Sequence, residues 1–585
     1  MTTKYNRRDF LAFSAKGVGA AVLSYGLMGC SSDDKKDRIS GQFLHGVASG
    51  DPASNAVILW TRVSPNEQGE VSVSWQVATD SDFSDVIRDG SMTTTVERDY
   101  TVKIDAVGLR PGQTYYYRFM SGDNTSTVGV TKTLPEGEIA QVKFAVLSCA
   151  NYPVGYFNVY ELATKQSEID AVIHLGDYIY EYGNDSSANG TSKVEGREVM
   201  PDREIVSLDD YRQRYAQYRS DNSLQKLHQQ SPFIMVWDDH EVTNDSYKDG
   251  AENHQEEEGD FAARKQAALQ AYFEWLPIRP WREGRHEEIY RSFSYGDLLD
   301  LHMLDTRLLG RDKQLAFENY IDPNTGGFDG DSFMADVTDT NRTMLGLTQL
   351  LWLQGEMLQS TAKWQVLGQQ VLMGKVFLPA AIATQQISIS QFAQLAQLAQ
   401  IAARAQAGDP TLTAGELQAL AAGQHLLTPE VLAMLQLPSI PYNLDAWDGY
   451  AYEREVIFGT AKSRQQNFVV LAGDTHNAWA NELRDVNGDV VGVEFATASV
   501  SSPGLEYYLQ IPQPELPATE AAVSQLVEDL KYANMGDRGF MTVTFTPEKV
   551  ESNWYYVDTV LSKEFKEDET KRQTKTMMAG VPELV

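Results

Sequence analysis

Between about residues 40 and 135, apolar and polar positions alternate with period two. Val71-Ser72-Val73-Ser74-Trp75-Gln76-Val77 is the clearest run, and Thr101–Ala106 and Tyr115–Phe119 repeat the pattern. Alternation places one face of an extended segment in a core and the other in water. The region is therefore expected to be an all-β sandwich with no chemistry of its own. From Val142 the texture changes. Short apolar-rich runs (Phe144–Leu147, Ala171–Ile173, Phe233–Val236, Leu299–Leu304, Trp364–Leu367, Phe468–Leu471) alternate with helix-forming stretches, which predicts an α/β domain over about 141–560. Residues 378–437 stand apart. Gln391–Ile401 carries an apolar residue at every third position on a strongly helix-forming background, with Gly408-Asp409-Pro410 as a turn. An inserted helical hairpin is expected there, a lid or packing element, with a membrane- or partner-contacting helix as the alternative. Residues 561–585 are expected to form a tail.

Polar residues cluster where several apolar runs end, the usual place for sites in α/β domains. Ser148-Cys149 follows the first run; alone, the thiol is as well read as a small buried hydrophobe. Gly176-Asp177-Tyr178-Ile179-Tyr180-Glu181 follows the second, and Gly-Asp lets a carboxylate leave a tight strand exit. His174, inside that run, reads as structural. Trp237-Asp238-Asp239-His240-Glu241 with Asn244-Asp245 crowds carboxylates, an imidazole and an amide together. Such crowding costs free energy unless a cation or donors compensate. Gly473-Asp474-Thr475-His476 ends the last run, with two ligand-type side chains two residues apart. Each exit has a bland reading as a turn or solvated loop. Four exits with oxygen, nitrogen and sulfur donors together favour one metal centre.

Composition narrows the partners. The chain of 585 residues has 81 Asp and Glu against 49 Lys and Arg, a net charge of −32. That balance argues against nucleic acid, whose phosphates call for surplus Lys and Arg. Two cysteines exclude a disulfide scaffold. The first residues read as an address. Arg7-Arg8 precedes a Gly/Ala-rich apolar stretch ending Leu27-Met28-Gly29-Cys30, the pattern of a Tat export signal closing on a lipobox. The stretch is too short and Gly-rich for a stable membrane span. Cys30 is then the expected lipidation site, 31–39 a solvated tether, and the product a periplasmic or cell-surface lipoprotein anchored in the membrane. A monomer is expected.

The ordered set of motifs resembles the calcineurin-like metallophosphoesterases, and above all the purple acid phosphatase variant, in which Tyr follows the second Asp by three residues. Within that group the chain looks like a member of the alkaline phosphatase D (PhoD) family. The resemblance spans nearly the whole chain after the leader. It runs through Gly46–Pro52, Ile58–Arg62, Ser148-Cys149, Gly176–Glu181, Tyr211-Arg212 and Tyr218–Asp221. It continues through Trp237–Asp245, Leu304–Arg307, Met344–Gly346 with Gln349, Gln369-Gln370, Trp447–Tyr450, Gly473–His476 and Ser501–Gly504. The 378–437 insertion has no counterpart. The implied fold is an α/β (α+β) metallophosphoesterase core, two β-sheets flanked by helices, preceded by a fibronectin-like sandwich. The Leu109-Arg110-Pro111-Gly112-Gln113-Thr114-Tyr115 corner is similar to that of fibronectin-type domains.

By that resemblance Cys149, Asp177, Tyr180 and His476 hold Fe(III), and Asp177 bridges to a second ion. Thiolate and phenolate suit a highly charged ion better than Mg²⁺. Where related sites have imidazole and amide, this chain has Asp474 and Asp239. Such an oxygen-rich set favours Ca²⁺, with Asp239, Asn244 and Asp474 as candidate ligands and the choice among Asp238, Asp239 and Asn244 open. His240 is the expected contact to the phosphoryl or leaving group. Arg307 is the candidate clamp on a phosphate oxygen, against a structural pairing with Asp305. The implied reaction is hydrolysis of small phosphoesters by metal-activated hydroxide, with no covalent intermediate. A phosphodiesterase or phospholipase D-like activity on the same site is the first alternative. A non-catalytic calcium-binding surface lipoprotein is the second.

Overall fold

The computed structural model describes residues 39–189, 193–280, 287–325 and 327–585. The expected leader, the lipidation site at Cys30 and the tether up to residue 38 lie outside the described residues. The apolar runs from Val142 onward become strands of two mixed sheets laid face to face. In a ten-stranded sheet, Val142–Leu147, Ala171–His174 and Phe233–Met235 run parallel, in register at Leu147, His174 and Met235. A seven-stranded sheet holds Leu299–Met303, Trp364–Gly368, Asn467–Ala472 and Val490–Ala496, also parallel. These central strands are covered on both faces, so their sequences are apolar runs rather than alternations.

Aromatic rings stitch the sheets together. Phe144 meets Tyr295 at 5.2 Å and Phe495 meets Trp554 at 5.8 Å, edge to face. The indole N–H groups of Trp364 and Trp554 donate across the interface to Thr546 O and Ala496 O. The helices Leu208–Tyr218, Asn222–Gln230 and Phe261–Trp275 join the core of the first sheet. Gly346–Gln359 and Ala451–Ser463 pack into a second core against the other sheet. The insertion springs from an antiparallel ribbon, Phe377–Pro379 with Ser439–Pro441. Its first long helix, Ile389–Gln406, starts at a capping box between Ser388 and Gln391 and buries Ile389, Phe392 and Ile401. No helix among the described residues is long and apolar enough to cross a membrane.

The amino-terminal strands alternate as expected, with Val71, Val73 and Val77 buried against Tyr115, Tyr117 and Phe119. They are also joined laterally to the strands that follow. Val47–Gly50, Ala56–Arg62 and Thr101–Val107, one layer of the sandwich, continue the ten-stranded sheet through Phe233 opposite Gly50. A buried ion pair, Arg291 Nη2 to Asp51 Oδ1 at 2.6 Å, ties the same layer to the seven-stranded sheet.

The expected tail is also corrected. Gln573–Met578 and Val581–Leu584 form a hairpin that closes the ten-stranded sheet beside Lys549–Tyr556, and Met577 is buried in its core. Gly580 N and Leu584 N donate to Asn467 and Glu482 of the other sheet, so the hairpin ties both sheets together. Ending the chain at Asp568 should bare the Lys549–Tyr556 edge with its unpaired N–H and C=O groups. The truncated protein is expected to elute as aggregate in size-exclusion chromatography, where the full chain does not.

Candidate metal centre

The three parallel strands end level with one another, so their exits converge. Cys149 stands two residues beyond Leu147, Asp177 three beyond His174 and Asp238 three beyond Met235. Asn467–Ala472 brings Asp474 and His476 from the facing sheet. Gly176 is required where two exits touch: its φ is +102°, and a Cβ there would lie 2.4 Å from the Asp238 nitrogen. Gly473 serves the contact between sheets, where a Cβ would meet Ser148 Oγ at 2.7 Å. Four of the expected ligands adopt left-handed backbone: Cys149, Asp177, Asp474 and His476, with φ of 61°, 55°, 63° and 63°. Each costs roughly 1–2 kcal/mol for a residue with a Cβ. Such strain persists only where the surrounding structure enforces it.

Three donor groups result. Ligand atoms of Cys149, Asp177 and His476 lie within 4.8 Å of one another, as do those of Asp177, Asp239 and His240, and those of Asp238, Asp239 and Asp474. Asp177 and Asp239 each belong to two groups. Tyr180 completes the first: its hydroxyl donates to Asp177 Oδ2 at 2.8 Å and lies 3.1 Å from His476 Nε2. Ser502 Oγ donates to the same hydroxyl at 2.6 Å. His476 Nδ1 is 2.5 Å from Pro503 O, a contact that places the proton on Nδ1 and leaves the Nε2 lone pair free.

The first group fits a cation. Asp177 Oδ1 is buried with no hydrogen-bond partner, as is Asp238 Oδ2. Burial, and then Asp177, push the Cys149 thiol well above its ordinary value. The same two influences raise the Tyr180 phenol. Neither group ionises here without a strong positive charge at hand. The orphaned carboxylate oxygen marks where that charge belongs.

His240 is held apart from solvent. Its Nδ1 is 2.7 Å from Glu181 Oε2, and its ring lies 4.1 Å from that of Tyr180. Burial disfavours the imidazolium, but Glu181, Asp177 and Asp239 together outweigh it and raise the His240 pKa well above the usual value. Glu181 accepts in addition from Thr243 Oγ1, Asn244 N and Asn253 Nδ2. Burial works to raise its pKa, yet His240 and these donors hold it below the ordinary value. Asn244, an expected calcium ligand, gives its backbone N–H to Glu181 and its side-chain nitrogen to Glu252 at 2.8 Å. These bonds brace the loop through its nitrogens and leave the Oδ1 ligand atom to the centre, while Asp238 joins Asp239 and Asp474 in the acidic group.

Arg307 differs most from expectation. Its guanidinium is fully buried and faces four aspartates: Asp238 at 2.5 Å, Asp445 and Asp474 at 2.8 Å, and Asp239 at 3.6 Å. Each of its three nitrogens meets a carboxylate, which favours the structural reading of this residue over the phosphate clamp. Its partner is not the Asp305 side chain, which accepts backbone N–H groups and the Trp237 indole. Two residues have roles that the sequence does not assign. Asp445 enters the cluster from the stretch after Ser439–Pro441, two residues before the Trp447–Tyr450 motif and outside it. Glu241 accepts the N–H groups of Asp177, Tyr178 and Asp238 at 3.0, 2.6 and 2.7 Å, lashing two strand exits together. Burial first, and then Asp177, push it up to about 8. Its place in the Asp-Asp-His-Glu run was the available signal.

Comparison with known proteins agrees with this geometry. Residues 144–554 match the family described as PhoD-like phosphatase, and 29–135 match its N-terminal domain. The chain is similar to alkaline phosphatase D of Bacillus subtilis (strain 168), with 34% identity over 522 residues, covering 86% of this chain and 77% of the relative. A solved structure of PhoD superposes with a TM-score of 0.71 at 29% identity, covering 94% of this chain and 93% of the other.

Proposed function

The chain belongs to the PhoD-like phosphatase family and is a phosphoester hydrolase of the alkaline phosphatase D type, and we propose that it works outside the cytoplasm with an iron–calcium centre. In this reading Cys149, Asp177, Tyr180 and His476 hold Fe(III), and Asp177 also faces the acidic group where Asp238, Asp239 and Asp474 hold Ca²⁺. The observation that carries it is the buried, unpartnered Asp177 Oδ1 beside a thiol and a phenol. Sulfur and phenolate donors match a trivalent ion, and the carboxylates match a hard divalent one. A purely calcium-binding lipoprotein would have no use for Cys149.

When bound, such ions polarise phosphoryl oxygens and lower the pKa of water. The chain supplies the rest. His240, with Nδ1 turned to Glu181, presents Nε2 as the proton donor to the departing oxygen. Tyr180 and Tyr182 wall its ring, at 4.1 and 5.2 Å. Ser502, with its hydroxyl committed to Tyr180 and Cys149 O, is not an activated nucleophile. Direct transfer to water follows, with inversion at phosphorus. Export by Tat and anchoring through Cys30 rest on Arg7-Arg8 and the Leu27–Cys30 ending.

Protein exported by its native route should contain iron and calcium by elemental analysis. It should show a visible tyrosinate–Fe(III) absorption and hydrolyse p-nitrophenyl phosphate. The Cys149→Ala variant should lose the iron and the absorption together. A colourless, calcium-only wild-type protein would overturn the assignment.

A further inference from the structure

Two tyrosines stand at the ends of a row of rings that crosses the centre. Tyr182 lies 5.2 Å from His240, His240 4.1 Å from Tyr180, Tyr180 6.5 Å from His476, and His476 6.3 Å from Tyr508. The three inner rings are buried. Tyr182 is partly exposed and Tyr508 is 55% exposed. Neither outer hydroxyl has a hydrogen-bond partner among the described residues. Tyr182 thus flanks the His240 side of the centre and Tyr508 the His476 side.

The backbone on either side of both is tied down by hydrogen bonds. Arg214, fully buried, donates to the carbonyls of Tyr180 and Tyr182 and pins that segment. The turn bearing Tyr508 is fastened to the ligand strand itself: His476 Nδ1 meets Pro503 O, and Asn477 Oδ1 accepts Leu505 N at 3.2 Å. Glu506 pairs with Arg538 behind it. Exposed aromatic faces fixed in advance at the mouth of a polar centre lose little freedom when they meet a ligand. An interior role does not explain Tyr508, because more than half of it faces solvent.

We propose that Tyr182 and Tyr508 form a subsite for the organic substituent of the ester, one that selects planar aromatic groups over small alkyl groups. The proposal rests on the reading of Cys149, Asp177, Tyr180 and His476 as the reaction centre. The substrates that test it are bis-p-nitrophenyl phosphate, p-nitrophenyl phosphate and glycerol phosphate. In Tyr508→Ala the ratio of kcat/KM on bis-p-nitrophenyl phosphate to that on glycerol phosphate should fall about ten-fold, the upper range for a stacked aromatic pair. Tyr508→Phe should keep the wild-type ratio, because the ring and not the hydroxyl makes the contact. Iron content, measured alongside, should equal wild type in both variants. An unchanged ratio in Tyr508→Ala overturns the subsite, as does a uniform loss on all three substrates or a loss of iron. If metal-replete wild-type protein hydrolyses none of them, the reading of the centre fails instead.

Discussion

Replacing His240 by alanine should slow phosphoester hydrolysis by about 10²–10⁴-fold, the range for losing a positioned proton donor, with the iron still bound. The imidazole lies outside the Cys149–Asp177–His476 group, so the sulfur, phenol and imidazole donors of that group survive the change. What disappears is a proton source buried against Tyr180 and oriented by Glu181. Glu181→Gln separates orientation from charge. The amide keeps the shape and the hydrogen bond but not the negative charge that steadies the imidazolium, so its rate should fall between wild type and His240→Ala. Single-turnover rates and iron content, measured together on all three proteins, decide the matter. Loss of iron from His240→Ala would move this residue from proton donor to ligand.

Arg307→Met should destabilise the metal-free protein by about 3–5 kcal/mol, the usual result of removing one partner from a buried ion pair. The side chain has no exposure, and Asp238, Asp445 and Asp474 each give it a carboxylate oxygen. Without it Asp238 and Asp474 share a water-poor space with Asp239 and lose their guanidinium, while Asp445 keeps only its pairing with Arg311. Burial already pushes Asp238 and Asp474 well above the ordinary carboxylate range despite the arginine, so the variant should take up protons there. Calcium should restore much of the lost stability, since a cation can take over part of the neutralisation. Denaturant titrations of chelated and calcium-loaded protein test both parts. Equal midpoints for wild type and variant without metal would show that the aspartates find other partners.

Much of the centre was legible because strand exits leave a local signature. An apolar run followed by Gly-Asp or by Cys, Asp or His predicts where Cys149, Asp177, Asp239, Asp474 and His476 emerge, and the structure gathers them. What escaped depends on long-range pairing. Arg307 follows a strand as a phosphate clamp would, and only the arrival of Asp445 and Asp474 shows that its charge is spent within the protein. Asp445 lies just outside the Trp447–Tyr450 motif, in the stretch that follows the ribbon rooting the insertion. The closing hairpin at Gln573–Leu584 is short and polar enough to read as a tail; its role comes from partners a hundred residues earlier. The amino-terminal alternation identified strands without revealing that three of them extend another sheet, because periodicity reports which face is wet and not which neighbour is paired.

That shared sheet bears on how the polypeptide is made. Val47–Gly50 leaves the ribosome well before its lateral neighbour Phe233–Met235 and before Arg291, the donor of its adjoining salt link. The Gln573–Leu584 hairpin follows later still. Val47–Gly50 must therefore wait for the middle of the chain, and the far border stays open until Gln573–Leu584 has been made. A fragment released before then would carry an unfinished β surface.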